Sequence, residues 1–202
     1  MIADINLHLM DNVVSGVYID RDSTSIRYDD TYFDHYMHLA TTSMGTAIST
    51  FREGYVTAFA GGSEVLDYGC GYGTIVMQNA NWYGYDIMAK AKERLGAKYR
   101  IDWESFPTLC FFDVLEHLSQ PETIMRNLKS DTLVFISIPL YPGDWDQIAK
   151  WRHWKPKEHY LYASPSGFCN LMEHWDFEII DHNQIETSLG RNDIHTYCIR
   201  KR

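Results

Sequence analysis

Three glycines at alternate positions follow an acidic residue in the segment 65–74, which reads VLDYGCGYGT. An aliphatic run that ends on Asp67 predicts a β-strand, and Gly69, Gly71 and Gly73 predict a tight turn that opens a helix. Glycine accepts positive φ and allows a ligand to approach the main chain, and a helix start offers free N–H groups. The spacing differs from the G-x-G-x-x-G turn of diphosphate sites, so it favours a ligand that carries an ammonium group.

A second acid follows at the expected distance. The segment 81–86 reads NWYGYD and predicts a short strand that ends on Asp86, 19 residues after Asp67. An acid about 20 residues beyond a glycine turn can accept hydrogen bonds from ribose hydroxyls. Asp86 can also cap the helix that begins near Met88, and the two roles are compatible.

A third segment joins a buried strand to three polar side chains. Residues 111–118 read FFDVLEHL, and they continue through Pro121 into a predicted helix. Asp113, Glu116 and His117 therefore follow the carboxyl end of strand four, where open parallel sheets bind their ligands.

These three segments resemble the class I S-adenosylmethionine-dependent methyltransferases, and 111–118 resembles the small-molecule branch related to ubiquinone biosynthesis. The resemblance extends from about residue 64 to the C-terminus. It implies transfer of a methyl group from S-adenosylmethionine to an O or N atom of a small-molecule acceptor by in-line displacement, with the enzyme mainly aligning donor and acceptor. A nucleotide-linked, glycan or macromolecular acceptor and a non-catalytic cofactor-binding subunit are the alternatives.

The resemblance also implies which residues contact the cofactor. Aromatic residues recur every four positions at 28, 32 and 36, which is typical of one helix face, either a lid over the cofactor or an ordinary packing stripe. Asp102 and Trp103 are candidates for the adenine contact by position. The predicted cofactor-binding residues are Tyr28, Tyr32, Phe33, Asp67, Gly69, Cys70, Gly71, Gly73, Asp86, Ile87, Phe112, Asp113 and Val114.

Two histidines are the catalytic candidates. His117 lies just past strand four and has the pKa range of a general base. Alternatively, Asp113, Glu116 and His117 hold a divalent cation, or Glu116 and His117 only order the loop. His159 follows strand five on the usual acceptor side and is the second candidate for an acceptor contact or base. No metal ligand is assigned.

The pattern of elements predicts an α/β fold. Alternating strands and helices from residue 64 indicate a Rossmann-like, seven-stranded, mostly parallel sheet with helices on both faces and a C-terminal antiparallel strand. Its third strand, near 99–101, is weak. On the N-terminal side of the sheet we expect a small hairpin, with arms at 17–19 and 25–28, and a helical lid. The predicted division is 1–60 for hairpin and lid, and 61–202 for the cofactor-binding core.

Composition and charge restrict the classes of molecule that the protein is expected to bind. The formal net charge of −9 argues against nucleic acid, although 150–157 (KWRHWKPK) interleaves cations with tryptophans and suits either a phosphate or base contact or a packed helix end. No membrane span or signal peptide is expected, and four unpaired cysteines are typical of reduced thiols. These features predict a cytoplasmic enzyme with a small-molecule acceptor, and they leave its oligomeric state open.

Overall fold

The computed structural model describes residues 7–9, 14–20 and 30–202. Its central sheet has six strands: β3 (Val65–Tyr68), β4 (Trp82–Tyr85), β5 (Thr108–Phe112), β6 (Leu133–Pro139), β8 (Phe177–Asn183) and β9 (Ile194–Lys201). Their order is β4-β3-β5-β6-β9-β8. The first four are parallel, and β9 and β8 add antiparallel to the edge. The predicted α/β fold and its closing antiparallel strands are therefore confirmed.

Helices pack on both faces of this sheet, as predicted. They are α2 (Ser43–Ala60), α3 (Thr74–Gln78), α4 (Ala89–Leu95), α5 (Pro121–Arg126), α6 (Pro165–His174) and α7 (Ile185–Ser188), with α1 (Asp30–Ala40) before them. Alternate residues of β5 belong to different cores: Phe111 packs with Met125 of α5 and Phe168 of α6, whereas Cys110 packs with Val56 of α2. This alternation follows from the two-residue period of a strand.

The sheet has six strands, so the prediction of seven was wrong by one. The missing third strand is reduced to a single parallel bridge between Tyr99 and Gly84. Two short 3-10 turns, Gly96–Lys98 and Trp103–Ser105, occupy half of the stretch between α4 and β5. Of the four residues between these turns, 99–102, only Tyr99 pairs with β4.

An N-terminal hairpin is present, but its arms differ from the predicted ones. β1 (Leu7–Leu9) pairs antiparallel with β2 (Val17–Asp20), and β2 pairs on its other edge with β7 (Leu161–Ala163). The predicted second arm, 25–28, lies outside the described residues. The division at residue 60 stays a prediction.

Helix α2 begins after a residue that caps its first turn. This residue is Thr42, whose Oγ1 accepts a hydrogen bond from the Gly45 amide at 3.0 Å. This cap satisfies an amide that the helix itself leaves unpaired. In the part of the chain that the structure describes, no helix is long and apolar enough to cross a membrane.

Candidate functional site

A cavity of about 410 Å³ lies at the carboxyl ends of β3, β4 and β5, beneath α1 and α2. We call it the main cavity. Its volume falls within the range of small-molecule and cofactor sites. The glycine turn, the segment after β4 and the segment after β5 all line it.

The backbone of the glycine turn needs glycine at two positions for different reasons. Gly69 has a φ of +74°, and a Cβ there would lie 2.5 Å from Cγ2 of Val114. Gly71 has a φ of +52°, and a Cβ there would meet no atom within 4 Å. Gly71 therefore presents bare main chain beside the cavity, whereas Gly69 allows the segments after β3 and β5 to touch.

Gly73 does not line the main cavity. A Cβ at Gly73 would lie 2.7 Å from Cδ2 of Leu95, so the glycine allows helix α4 to pack closely against the turn. Its position supports the fold of the site, and a direct contact with the cofactor stays a prediction.

Asp86 joins the turn to the next helix. Its Oδ2 accepts a hydrogen bond from the Gly71 amide at 2.8 Å, and its Oδ1 accepts one from the Met88 amide at 2.9 Å. The carboxylate is largely buried and lines the main cavity. Asp86 thus binds the amide of Met88, the residue before α4, and supplies no side-chain cap inside the helix, while the same carboxylate borders the main cavity.

Asp67 is a buried acid at the end of β3. Burial raises its pKa to about 7; nearby Arg52 opposes the increase, and the negative charge of Asp86 adds to it. A carboxylate in this state is stabilised by a cationic partner, because a positive charge nearby favours its ionised form.

Two arginines that the sequence analysis did not single out hold Asp113. Arg52 Nη2 lies 2.7 Å from Asp113 Oδ2, and Arg191 Nη2 lies 2.7 Å from Asp113 Oδ1. Both guanidinium groups also pair with Glu186, which is fully buried. We call these four residues the charge network.

The charge network shapes the site electrostatically. Although burial alone would raise the pKa of Asp113, Arg191 and Arg52 hold it well below its usual range. Asp113 also has a φ of +59°, a left-handed conformation that is uncommon outside glycine. The network joins α2, the segment after β5 and the segment after α7, so no short sequence motif predicts it.

The other predicted cofactor residues divide into three groups. Phe33 is buried, lines the main cavity and contacts Tyr72 with ring centroids 5.9 Å apart. Tyr28 lies outside the described residues, and Tyr32 lies in α1 but its side chain is not described. Those that also line the cavity are Cys70, Ile87, Phe112, Asp113 and Val114.

The two adenine candidates are not brought to the cavity. Asp102 is exposed and forms an ion pair with Arg100, with 2.7 Å between Oδ2 and Nη2. Trp103 packs against Tyr68 instead, with ring centroids 6.0 Å apart. Neither residue lines the main cavity.

A second cavity of about 90 Å³ adjoins the first, and we call it the side cavity. The two cavities share Tyr36, Asp113, His117 and Arg191. His159 lines only the side cavity. The residues that complete it are Glu116, Pro139, His153, Lys155 and Ile194.

The predicted catalytic histidines meet in the side cavity. The rings of His117 and His159 are perpendicular, with centroids 4.6 Å apart. His117 Nδ1 lies 3.1 Å from the Glu158 carbonyl oxygen, so Nδ1 carries the proton and Nε2 presents a lone pair. Burial lowers the pKa of His117, and burial together with His117 lowers that of His159 to about 2.

Glu116 stands beside the two imidazoles. Its side chain is 2% exposed, and burial, with a further contribution from Asp113, raises its pKa to about 8. Its Oε1 lies 4.0 Å from His117 Nε2. The side cavity thus brings the Glu116 carboxyl group next to two neutral imidazoles, with Asp113 and His153 also in its lining.

The tryptophans of 150–157 pack inward. Trp151 Nε1 donates to Asp193 Oδ2 at 2.7 Å, and the Trp154 ring lies 4.7 Å from that of Tyr162. Lys155 Nζ is paired with Glu158 Oε1 at 2.9 Å. These contacts favour the packing interpretation of the segment over a nucleic-acid contact.

A family model described as a methyltransferase domain matches residues 33–182. The chain belongs to this methyltransferase family. The match covers Asp67, the glycine turn, Asp86 and the 111–118 segment. No curated protein matches the chain.

Solved structures share the methyltransferase fold. Magnesium protoporphyrin IX methyltransferase from Synechocystis PCC 6803, solved with bound S-adenosylhomocysteine, is 14% identical to this chain, with a TM-score of 0.58. The match covers 87% of this chain and 96% of the other protein. The 1,6-didemethyltoxoflavin-N1-methyltransferase of Burkholderia thailandensis is 15% identical, with a TM-score of 0.56 over 96% and 98% of the two chains. The prediction of a class I S-adenosylmethionine-dependent methyltransferase is confirmed.

The same fold also serves another reaction. The [4+2]-cyclase SpnF is 16% identical, has a TM-score of 0.53 and covers 77% of this chain and 80% of its own. The acceptor of this methyltransferase must therefore be argued from its own cavities.

Proposed function

We propose that this methyltransferase binds S-adenosylmethionine in the main cavity and transfers its methyl group to an O or N atom of a small-molecule acceptor in the side cavity. The supporting observation is the arrangement of two adjoining cavities. The larger is lined by the glycine turn and three acids, and the smaller is lined by two carboxyl groups and three imidazoles, with the Asp113 carboxyl group shared between them.

On the donor side, each polar group has a partner in the cofactor. Asp67 faces the ammonium group, which offsets the unfavourable burial of its carboxylate. Asp86 accepts from the ribose hydroxyls, and the apolar surfaces of Ile87 and Phe112 lie against the rest of the cofactor. Phe33 of α1 covers the cavity, which is the lid role expected for the N-terminal segment.

On the acceptor side, transfer needs alignment more than chemical activation, because the sulfonium already activates the methyl group. The acceptor atom attacks the methyl carbon, the carbon–sulfur bond breaks and its electron pair stays on sulfur. An acceptor hydroxyl or ammonium also loses one proton. His117, which borders both cavities, and His159 behind it are the residues proposed to contact the acceptor.

Calorimetric titration of S-adenosylhomocysteine and S-adenosylmethionine tests the donor half of the proposal. We expect micromolar binding by the wild type and at least about tenfold weaker binding by Asp86→Ala, because a hydrogen bond to a charged group contributes roughly 1.5–3 kcal/mol. Asp102→Ala removes an exposed acid outside both cavities and serves as the control. A folded wild type that binds neither compound would contradict the proposal.

Transfer of a labelled methyl group to sets of hydroxylated and amino compounds tests the acceptor half. Phenols, sugars, aliphatic alcohols and amines are assayed beside an oligonucleotide and a protein mixture. The proposal expects label in a small compound, and product analysis then identifies the methylated atom. Label found only in the macromolecules would overturn the assignment of a small acceptor.

A further inference from the structure

Three possible metal ligands converge in the side cavity. One donor atom from each of Glu116, His117 and His159 lies within 4.8 Å of the others. Two of these side chains are almost completely buried, Glu116 at 2% and His159 at 3% exposed. The residues come from the turn after β5 and from the segment before β7.

Two atoms of this cluster are buried without a partner. Glu116 Oε2 and His159 Nδ1 make no hydrogen bond among the residues that the structure describes, and the third such atom is Trp175 Nε1, which lies outside the cluster. A buried polar atom left unsatisfied costs roughly 1–3 kcal/mol. Two of them in one cavity of about 90 Å³ indicate a bound group that satisfies both.

The third ligand is already oriented. The Glu158 carbonyl accepts from His117 Nδ1–H, which directs the Nε2 lone pair toward the Glu116 carboxylate. A histidine that ligates a metal usually donates its other N–H to a carbonyl or carboxylate in this way. Once Glu116 has lost its proton, the cluster presents only acceptor atoms, which a cationic centre would satisfy.

Among the residues that the structure describes, no lysine or arginine forms an ion pair with Glu116. Lys155 is paired with Glu158. Arg191 is paired with Asp113 and Glu186 in the charge network. A cation between Glu116 and the two histidines would supply the missing positive charge.

We propose that Glu116, His117 and His159 bind one divalent transition-metal cation of the Zn²⁺, Mn²⁺ or Co²⁺ class. Two imidazoles and one carboxylate suit these ions, whereas Mg²⁺ and Ca²⁺ prefer oxygen ligands. Metal–ligand bonds of about 2.0–2.2 Å allow two donors to lie at most roughly 4.4 Å apart. The 4.0 Å between Glu116 Oε1 and His117 Nε2 fits directly, and small side-chain rotations bring in His159.

The side cavity shares Asp113, His117 and Arg191 with the main cavity, so a cation held by this cluster would lie next to the proposed cofactor site. The role of the cation in methyl transfer rests on the proposed function. An acceptor hydroxyl bound to the cation loses its proton to solvent, and the resulting oxygen attacks the methyl carbon of S-adenosylmethionine. The carbon–oxygen bond forms, the carbon–sulfur bond breaks and S-adenosylhomocysteine leaves with the electron pair.

Metal titration of untagged, chelator-treated protein tests the site. We expect one equivalent of Co²⁺, with the visible absorption of a bound cobalt ion, and competition by Zn²⁺ and Mn²⁺. Glu116→Gln and His159→Gln should each weaken binding at least about 100-fold. His174→Gln, a histidine of α6 outside the cavity, is the matched control.

The same preparations are titrated with S-adenosylhomocysteine, which separates this inference from the proposed function. The ligand variants should keep its binding, which also shows that they are folded. Should Glu116→Gln fail to fold, His159→Gln and Glu158→Gln form the second pair, the latter expected to retain the metal. Wild-type protein that binds S-adenosylhomocysteine but no stoichiometric metal, or that binds Mg²⁺ alone, would overturn the inference.

Discussion

The main cavity takes Gly69, Gly71 and its three acids from short segments at the carboxyl ends of parallel strands, at 67–71, 86–88 and 112–114. The side cavity takes its groups from the turn at 113–117, the segment 153–159 and the segment 191–194. In the first, backbone geometry places the groups, since parallel strands end at one edge of the sheet. In the second, side chains from distant parts of the chain converge. Locally encoded sites are therefore readable from sequence, and convergent ones are not.

The charge network borders both cavities, so its loss should damage both. We expect Arg52→Met to lower the free energy of unfolding by about 3–5 kcal/mol, because it leaves buried Glu186 with one cationic partner fewer. Urea denaturation measures the change. Arg126→Met removes an exposed helical pair with Glu122 and should change stability by no more than about 0.5 kcal/mol. Equal losses in the free energy of unfolding would show that the charge network stabilises the fold no more than an exposed ion pair does.

Two glycine substitutions separate the fold of the main cavity from its binding surface. Both place alanine at positive φ, which costs about 1–2 kcal/mol. Gly69→Ala adds the overlap with Val114 and should lose roughly 1–3 kcal/mol more. Gly71→Ala has space for its Cβ, so it should remain the more stable of the two and mainly weaken S-adenosylhomocysteine binding. The reverse order of stability, measured by thermal denaturation, would contradict this division.

The acid of the main cavity predicts a pH dependence. Because the pKa of Asp67 is raised to about 7 in the folded state, its contribution to stability is present at low pH and is lost as the pH rises through about 7. Asp67→Asn should therefore remove a slope of up to about 1.4 kcal/mol per pH unit. Chemical denaturation of both proteins from pH 5 to pH 8 measures the difference.

Asp67→Asn should also separate stability from binding. The variant is expected to be the more stable protein at pH 8, yet to bind S-adenosylmethionine more weakly, since it lacks the charge proposed to face the ammonium group. Wild-type affinity should rise with pH up to about 7 as the carboxylate ionises. An affinity that does not change between pH 5.5 and pH 8 would place the ammonium group elsewhere.

The smallest expected effect concerns the lid. Asp34 of α1 pairs with Lys90 of α4, with 3.2 Å between Oδ1 and Nζ, and both side chains are partly exposed. Exposed pairs contribute less than about 1 kcal/mol, so Asp34→Ala should weaken S-adenosylhomocysteine binding less than about fivefold and leave metal binding unchanged. Phe33→Ala, which removes a buried contact of the same helix, should weaken it more. If either variant lost metal affinity as much as S-adenosylhomocysteine affinity, the two cavities would not bind their ligands independently.

The local pattern predicted most of the fold and the donor side. Alternation of strands and helices, the glycine turn and its two acids all follow from short segments whose backbone needs are visible in residue type. The third strand was predicted because its residues suit a strand, but the two 3-10 turns around it leave only the Tyr99–Gly84 bridge. The hairpin prediction found β2 but not its partners, because strand pairing depends on which edges are free.

By itself, the sequence determined the family, the parallel sheet and the position of Asp67, Gly69, Gly71 and Asp86, since each depends on a few neighbouring residues. Tertiary structure alone decided that Arg52 and Arg191 hold Asp113, and that His159 meets Glu116 and His117. Those contacts join residues 42 to 78 positions apart in the sequence, with 61 positions between Arg52 and Asp113 and 78 between Asp113 and Arg191. No local periodicity encodes such a meeting, because packing of the whole sheet and its helices brings those side chains together.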